Sequence, residues 1–84
     1  MNRINSEEIK SFIYKKLEQE GISGDNVDPD QELVDSRIIS SLLLIQIIVG
    51  IEDIIEKPVI TDDIGIEDFT TINRILSKVE KLIN

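Results

Sequence analysis

No segment constrains the fold more than Ser41 to Glu56, SLLLIQIIVGIEDIIE. Its β-branched residues suit a buried strand as well as a helix. Length decides for a helix, because the run continues through Glu52, Asp53 and Glu56 without a turn signal. Gly50 weakens such a helix only slightly. The run is too short, and too charged at its end, to span a membrane. Wound as a helix, it lines one face with Leu44, Ile47, Ile48, Ile51 and Ile55, and another with Leu42, Leu43, Gln46, Val49 and Asp53. A helix apolar on two sides either sits centrally in a bundle or offers one apolar face to a partner. The second face is expected to be the exposed one. Two serines precede the run. Ser40 suits the N-cap and Ser41 the first helical position. The Ser41 hydroxyl then stands at the positive end of a helix dipole, among free N–H donors, a place that favours an anion such as phosphate.

The flanking segments supply further helices. Asn5 is placed to cap a first helix, with Glu8 completing a capping-box variant and Ile4 and Ile9 a hydrophobic staple. Ile9, Phe12, Ile13 and Leu17 recur at helical spacing, and Gly21 and Gly24 mark the helix end. Residues 21–40 form a long loop rich in Gly, Asp, Asn and Pro, anchored through Leu33 and Val34. A loop this long in a small domain is functional or tied down. Its Asp25, Asp28, Asp30 and Glu32 lack the glycine and closing glutamate of a calcium loop, so solvated charge is the expectation and no metal site is assigned. Pro58 closes the central helix. Residues 60–67 make a connector with a short helical turn. Thr70 or Thr71 caps a last helix whose Ile72, Ile75, Leu76, Val79, Leu82 and Ile83 share one face. The expectation is an all-α bundle of three main helices plus one short helix, in a single domain spanning residues 1–84.

Composition excludes much. The 84 residues include no Cys and no His. There is no disulfide, thiolate, imidazole base or His/Cys metal site, and no Lys or Asp stands at triad-like spacing from a serine; a serine-nucleophile enzyme is thereby disfavoured. A small domain without disulfides fits a cytoplasmic setting, and Met1 leads into polar residues rather than a secretory signal. Seventeen acidic residues against nine basic ones leave a net charge of −8. Nucleic acid and anionic membranes would repel such a surface, whereas partners with basic patches would be drawn to it.

The segment Leu-Val-Asp-Ser-Arg-Ile-Ile-Ser-Ser-Leu-Leu-Leu-Ile-Gln from Leu33 to Gln46, with Ile51-Glu52-Asp53 following and Phe69-Thr70-Thr71-Ile72 opening the last helix, resembles the acyl carrier protein family. The resemblance runs from the first helix to the last. Leu33 stands where the family has a loop leucine, Ile39 at the apolar place before its attachment motif, and Ser41-Leu42 on its modified serine and the following Leu or Met. Three departures stand out. Ser40 replaces the usual Asp before that serine, Arg37 stands where glycine is common, and Leu43 and Leu44 replace an acid after the motif leucine. Ser40 keeps the capping chemistry but removes a charge that the modifying transferase commonly contacts. Three serines compete for the attachment. Asp35-Ser36 imitates the motif pair, yet it lies outside the apolar run and out of register with Glu52 and Thr71; Ser40 is better placed as the cap; Ser41 is the favoured position.

The resemblance implies a carrier rather than an enzyme. It implies a covalent phosphopantetheine on Ser41 that holds acyl or aminoacyl cargo as a thioester for fatty-acid, polyketide or nonribosomal-peptide-type biosynthesis. The implied partners are a phosphopantetheinyl transferase, an acyl- or aminoacyl-loading ligase, and synthase or transferase enzymes with basic and apolar docking patches. These would meet Leu42, Leu43, Gln46, Val49, Glu52 and Asp53 of a monomeric carrier. The alternative is an unmodified protein-interaction module of the same fold. The apolar start of the second helix leans toward a dedicated carrier in a specialised pathway.

Overall fold

The computed structural model describes residues 6–83. In chain order it contains α1 (Ser6–Gln19), a 3-10 turn (Gly24–Asn26), α2 (Ser41–Ile55), a second 3-10 turn (Ile66–Phe69) and α3 (Ile72–Ile83), and no strand among the described residues. The protein is an all-α bundle of acyl-carrier type. The expected caps and staple at Ile4 and Asn5 lie outside the described residues. None of the described helices is long and apolar enough to cross a membrane.

Local chemistry explains each boundary. α1 ends because Gly21 adopts φ 80°. The Gly21 N–H then bonds the Glu18 carbonyl and the Ile22 N–H bonds the Leu17 carbonyl, both at 2.9 Å, a pairing that satisfies carbonyls the helix leaves free. Gly24 belongs to the following 3-10 turn rather than to the helix end. α2 stops at Ile55, where Glu56 turns left-handed at φ 57°, two residues before Pro58. The short helix expected within 60–67 falls at the end of that connector, at Ile66–Phe69. There the Gly65 N–H finds the Asp68 carboxylate at 3.1 Å. Thr71 rather than Thr70 caps α3: its hydroxyl oxygen accepts from the Arg74 N–H at 3.0 Å. The Lys57 ammonium donates to the Leu82 carbonyl at 2.7 Å, placing a cation at the negative end of α3.

Ile9, Ile13 and Leu17 of α1, Leu44, Ile47, Ile48, Ile51 and Ile55 of α2, and Ile72, Ile75 and Val79 of α3 meet with Leu33, Val59 and Phe69 in one core. Each such side chain contributes about 1.5–3 kcal/mol by leaving water. α2 is thus a helix over its whole length and is central to the bundle. One expectation fails here. Leu43, assigned to the exposed face, is buried at 8% exposure. The cause is α1. A Cβ built on Gly50 would lie 2.3 Å from the Phe12 ring, so this flank of α2 presses directly on α1. Leu43 stands two turns before Gly50 on that same flank.

Candidate functional site

The loop between α1 and α2 is held by bonds to the start of α3. The Leu33 N–H donates to the Thr70 carbonyl at 2.8 Å and the Asn73 N–H to the Pro29 carbonyl at 3.0 Å. The Asn73 side-chain amide donates to the Asp30 carboxylate at 2.7 Å. With Leu33 fully buried, these bonds anchor the approach to α2. Within the loop, the Asp28 carboxylate accepts the Asp30 N–H at 2.9 Å. No group of three or more possible metal ligands gathers among the described residues.

A tight turn then leads to α2. The Arg37 N–H bonds the Val34 carbonyl at 2.9 Å, and the Ile38 and Ile39 N–H groups converge on the Leu33 carbonyl at 3.0 and 3.2 Å. Arg37 carries φ 61°, a left-handed conformation that costs a side chain with a Cβ about 1–2 kcal/mol. This is the position where the family's glycine is common, and the turn gives the reason. Ile39 is buried and pins the chain, and Ser40 is extended at φ −82°, ψ 162°.

The three candidate serines have different surroundings. Ser36 is exposed on the turn, its N–H on the Glu32 carbonyl at 3.1 Å, away from a helix start. The Ser40 hydroxyl oxygen accepts from the Leu43 N–H at 3.1 Å and is the N-cap. Ser41 is the first residue of α2 and exposed, and its hydroxyl is released from capping by its neighbour. The first turn of α2 holds no acid. An exposed hydroxyl at a helix N-terminus, without an adjacent carboxylate, fits a covalently attached phosphate diester.

Beside Ser41 lies an apolar stripe. Leu42, Ile45 and Val49 are 65%, 42% and 47% exposed, spaced at i, i+3 and i+7 along one face. Gln46 and Asp53 are exposed on the same side. Ile45 was missed by the sequence assignment, although its spacing from Leu42 and Val49 was the signal. Glu52 has a different role from its neighbour: its carboxylate accepts the Val59 N–H at 2.7 Å and the Ile60 N–H at 3.2 Å. It fastens the segment after α2, and with it the partly exposed Ile60, against the flank of this helix. Two open concavities lie elsewhere on the surface. One is lined by Lys10, Tyr14, Glu18 and Asp25, the other by Asp68, Arg74, Ser77 and Lys78.

No family model matches the chain, and no solved structure matches it. It is similar to the D-alanyl carrier protein of Streptococcus uberis, at 34% identity over 55 residues, covering 66% of this chain and 70% of that relative.

Proposed function

The chain belongs to the acyl carrier protein family and is a carrier rather than a catalyst; from that membership we propose that Ser41 is its attachment point and that its cargo is a small acyl or aminoacyl group. Phosphopantetheine, joined to the Ser41 hydroxyl through a phosphodiester, supplies the thiol that a chain without cysteine lacks and holds the cargo as a thioester. The observation that carries the proposal is the division of labour between the two serines: Ser40 caps α2, leaving the adjacent hydroxyl exposed at the first helical position.

Small cargo accords with the name of the similar D-alanyl carrier. It also accords with a bundle interior filled by Ile, Leu, Val and Phe side chains. The partners proposed are a phosphopantetheinyl transferase, a loading ligase, and the enzyme that accepts the cargo. They meet Leu42, Ile45 and Val49, with Gln46 between them and Asp53 beyond. Contacts to such aliphatics govern dissociation, while the acidic surface speeds encounter with basic partners. Leu43 leaves this surface for the core, and Glu52 supports it from the side.

Incubation with coenzyme A and a broad-specificity transferase should add one phosphopantetheine to the protein, detected as intact mass. Ser41→Ala should abolish the addition with the helical circular dichroism unchanged. Labelling that survives in Ser41→Ala and disappears in Ser36→Ala or Ser40→Ala would move the site. A wild-type chain that stays unlabelled would leave the unmodified interaction module as the function.

A further inference from the structure

Arg37 is the only cationic residue between Lys16 and Lys57, in a stretch with acids from Glu18 to Glu56. Its side chain is exposed, and no hydrogen bond or ion pair holds its guanidinium among the described residues. Its backbone is held at φ 61° by the bonds of the turn over Leu33, a conformation that glycine would adopt more readily. A long cation kept at a strained position, without a partner among the described residues, points to a use outside the packing of the fold.

We propose that Arg37 pairs with the phosphodiester on Ser41, so that this carrier holds the base of its arm with a guanidinium. The proposal rests on the assignment of the arm to Ser41. Two features of the chain support it. The four backbone steps from Arg37 to Ser41 span at most about 14 Å even when extended, and Ile39, buried between them, restrains the separation. Both side chains are exposed, and a guanidinium at one end of that span and a phosphate at the other together have the length to bridge it. In addition, the position before Ser41 holds a neutral cap and the first turn of α2 carries no acid, so no nearby carboxylate at the helix start competes for the guanidinium. The planar fork of Arg matches two phosphate oxygens. Such a pair favours arm conformations that leave along the Arg37 side of the helix start.

The test compares wild type, Arg37→Gln and Arg37→Gly, each as the full chain, before and after modification, with intact mass establishing one phosphopantetheine per molecule. The Arg37→Gly form should be at least as stable as wild type before modification, because glycine relieves the positive φ. In wild type the Arg37 Nε–Hε resonance should shift on modification. At low salt, modification should lower the melting temperature of both variants by about 2 °C more than it lowers that of wild type. That difference should shrink at high salt. Complete modification with an unmoved Arg37 resonance, or with the same thermal change in all three proteins, overturns the pairing and leaves the Ser41 assignment standing. A wild-type protein that accepts no arm on Ser41 overturns both.

Discussion

The two sides of α2 carry the same kind of side chain and serve opposite ends. On the inner side, Leu44, Ile47, Ile48 and Ile51 are buried and hold the bundle together; on the outer side, Leu42, Ile45 and Val49 face water. In composition the two sides differ little, and what separates them is the neighbour. Phe12 of α1 lies over Gly50 and defines the flank to which Leu43 also belongs. Nothing among the described residues covers the stripe that begins beside Ser41. An apolar helix side left uncovered in a small domain is costly unless a partner uses it.

The sharpest way to break this comparison is a charge at adjacent residues. Leu43→Asp should unfold the domain or cost it more than about 3 kcal/mol, since it buries an unpaired carboxylate. Leu42→Asp and Val49→Asp should stay within about 0.5 kcal/mol of wild type in urea denaturation, while slowing cargo transfer to the cognate enzyme. Equal destabilisation by all three would mean that the two sides are not distinct. Glu52 and Asp53 make a second pair. Glu52→Ala removes a charged acceptor from the Val59 and Ile60 N–H groups and should cost about 1.5–3 kcal/mol. Asp53→Ala, at an exposed position, should be near neutral in the same measurement.

Smaller effects sharpen the picture at the helix start and at the contact with α1. Ser40→Ala should cost about 1 kcal/mol, seen as a fall of about 4–8 °C in melting temperature, and should still accept an arm at Ser41. Loss of modification together with the cap would show that the two serines do not have separate roles. Gly50→Ala would ordinarily stabilise a helix by about 1 kcal/mol. Here the new methyl meets the Phe12 ring, so overpacking of about 1–3 kcal/mol should exceed that gain and leave a small net loss. A measured stabilisation would mean that Phe12 moves aside freely, and that α1 does not set the buried flank.

Much of the architecture was legible from local chemistry. The helix start at Ser41, the cap at Ser40, the cap of α3 at one of Thr70 and Thr71, the stop at Gly21 and the anchoring role of Leu33 depend on residues within a few positions of one another. Such signals survive in a bare sequence. The candidate serine was legible for the same reason, because a cap and the residue after it are neighbours in the chain. The exposed stripe was only partly so: Leu42, Gln46, Val49 and Asp53 emerged as exposed, but Leu43 is buried and Ile45 was passed over.

The sequence by itself determined that α2 is a helix, where it begins, and which hydroxyl stands free at its start, because capping and turn formation act through nearby backbone groups. Only the tertiary structure decided which way α2 is turned. A helix apolar nearly all round carries no sharp pattern to orient it, so the contact of Gly50 with Phe12, 38 residues away in the chain, settled which aliphatics are core and which are surface. It also gave Glu52 a structural task, because the N–H groups of Val59 and Ile60 are brought to its carboxylate only when the chain turns back after Pro58.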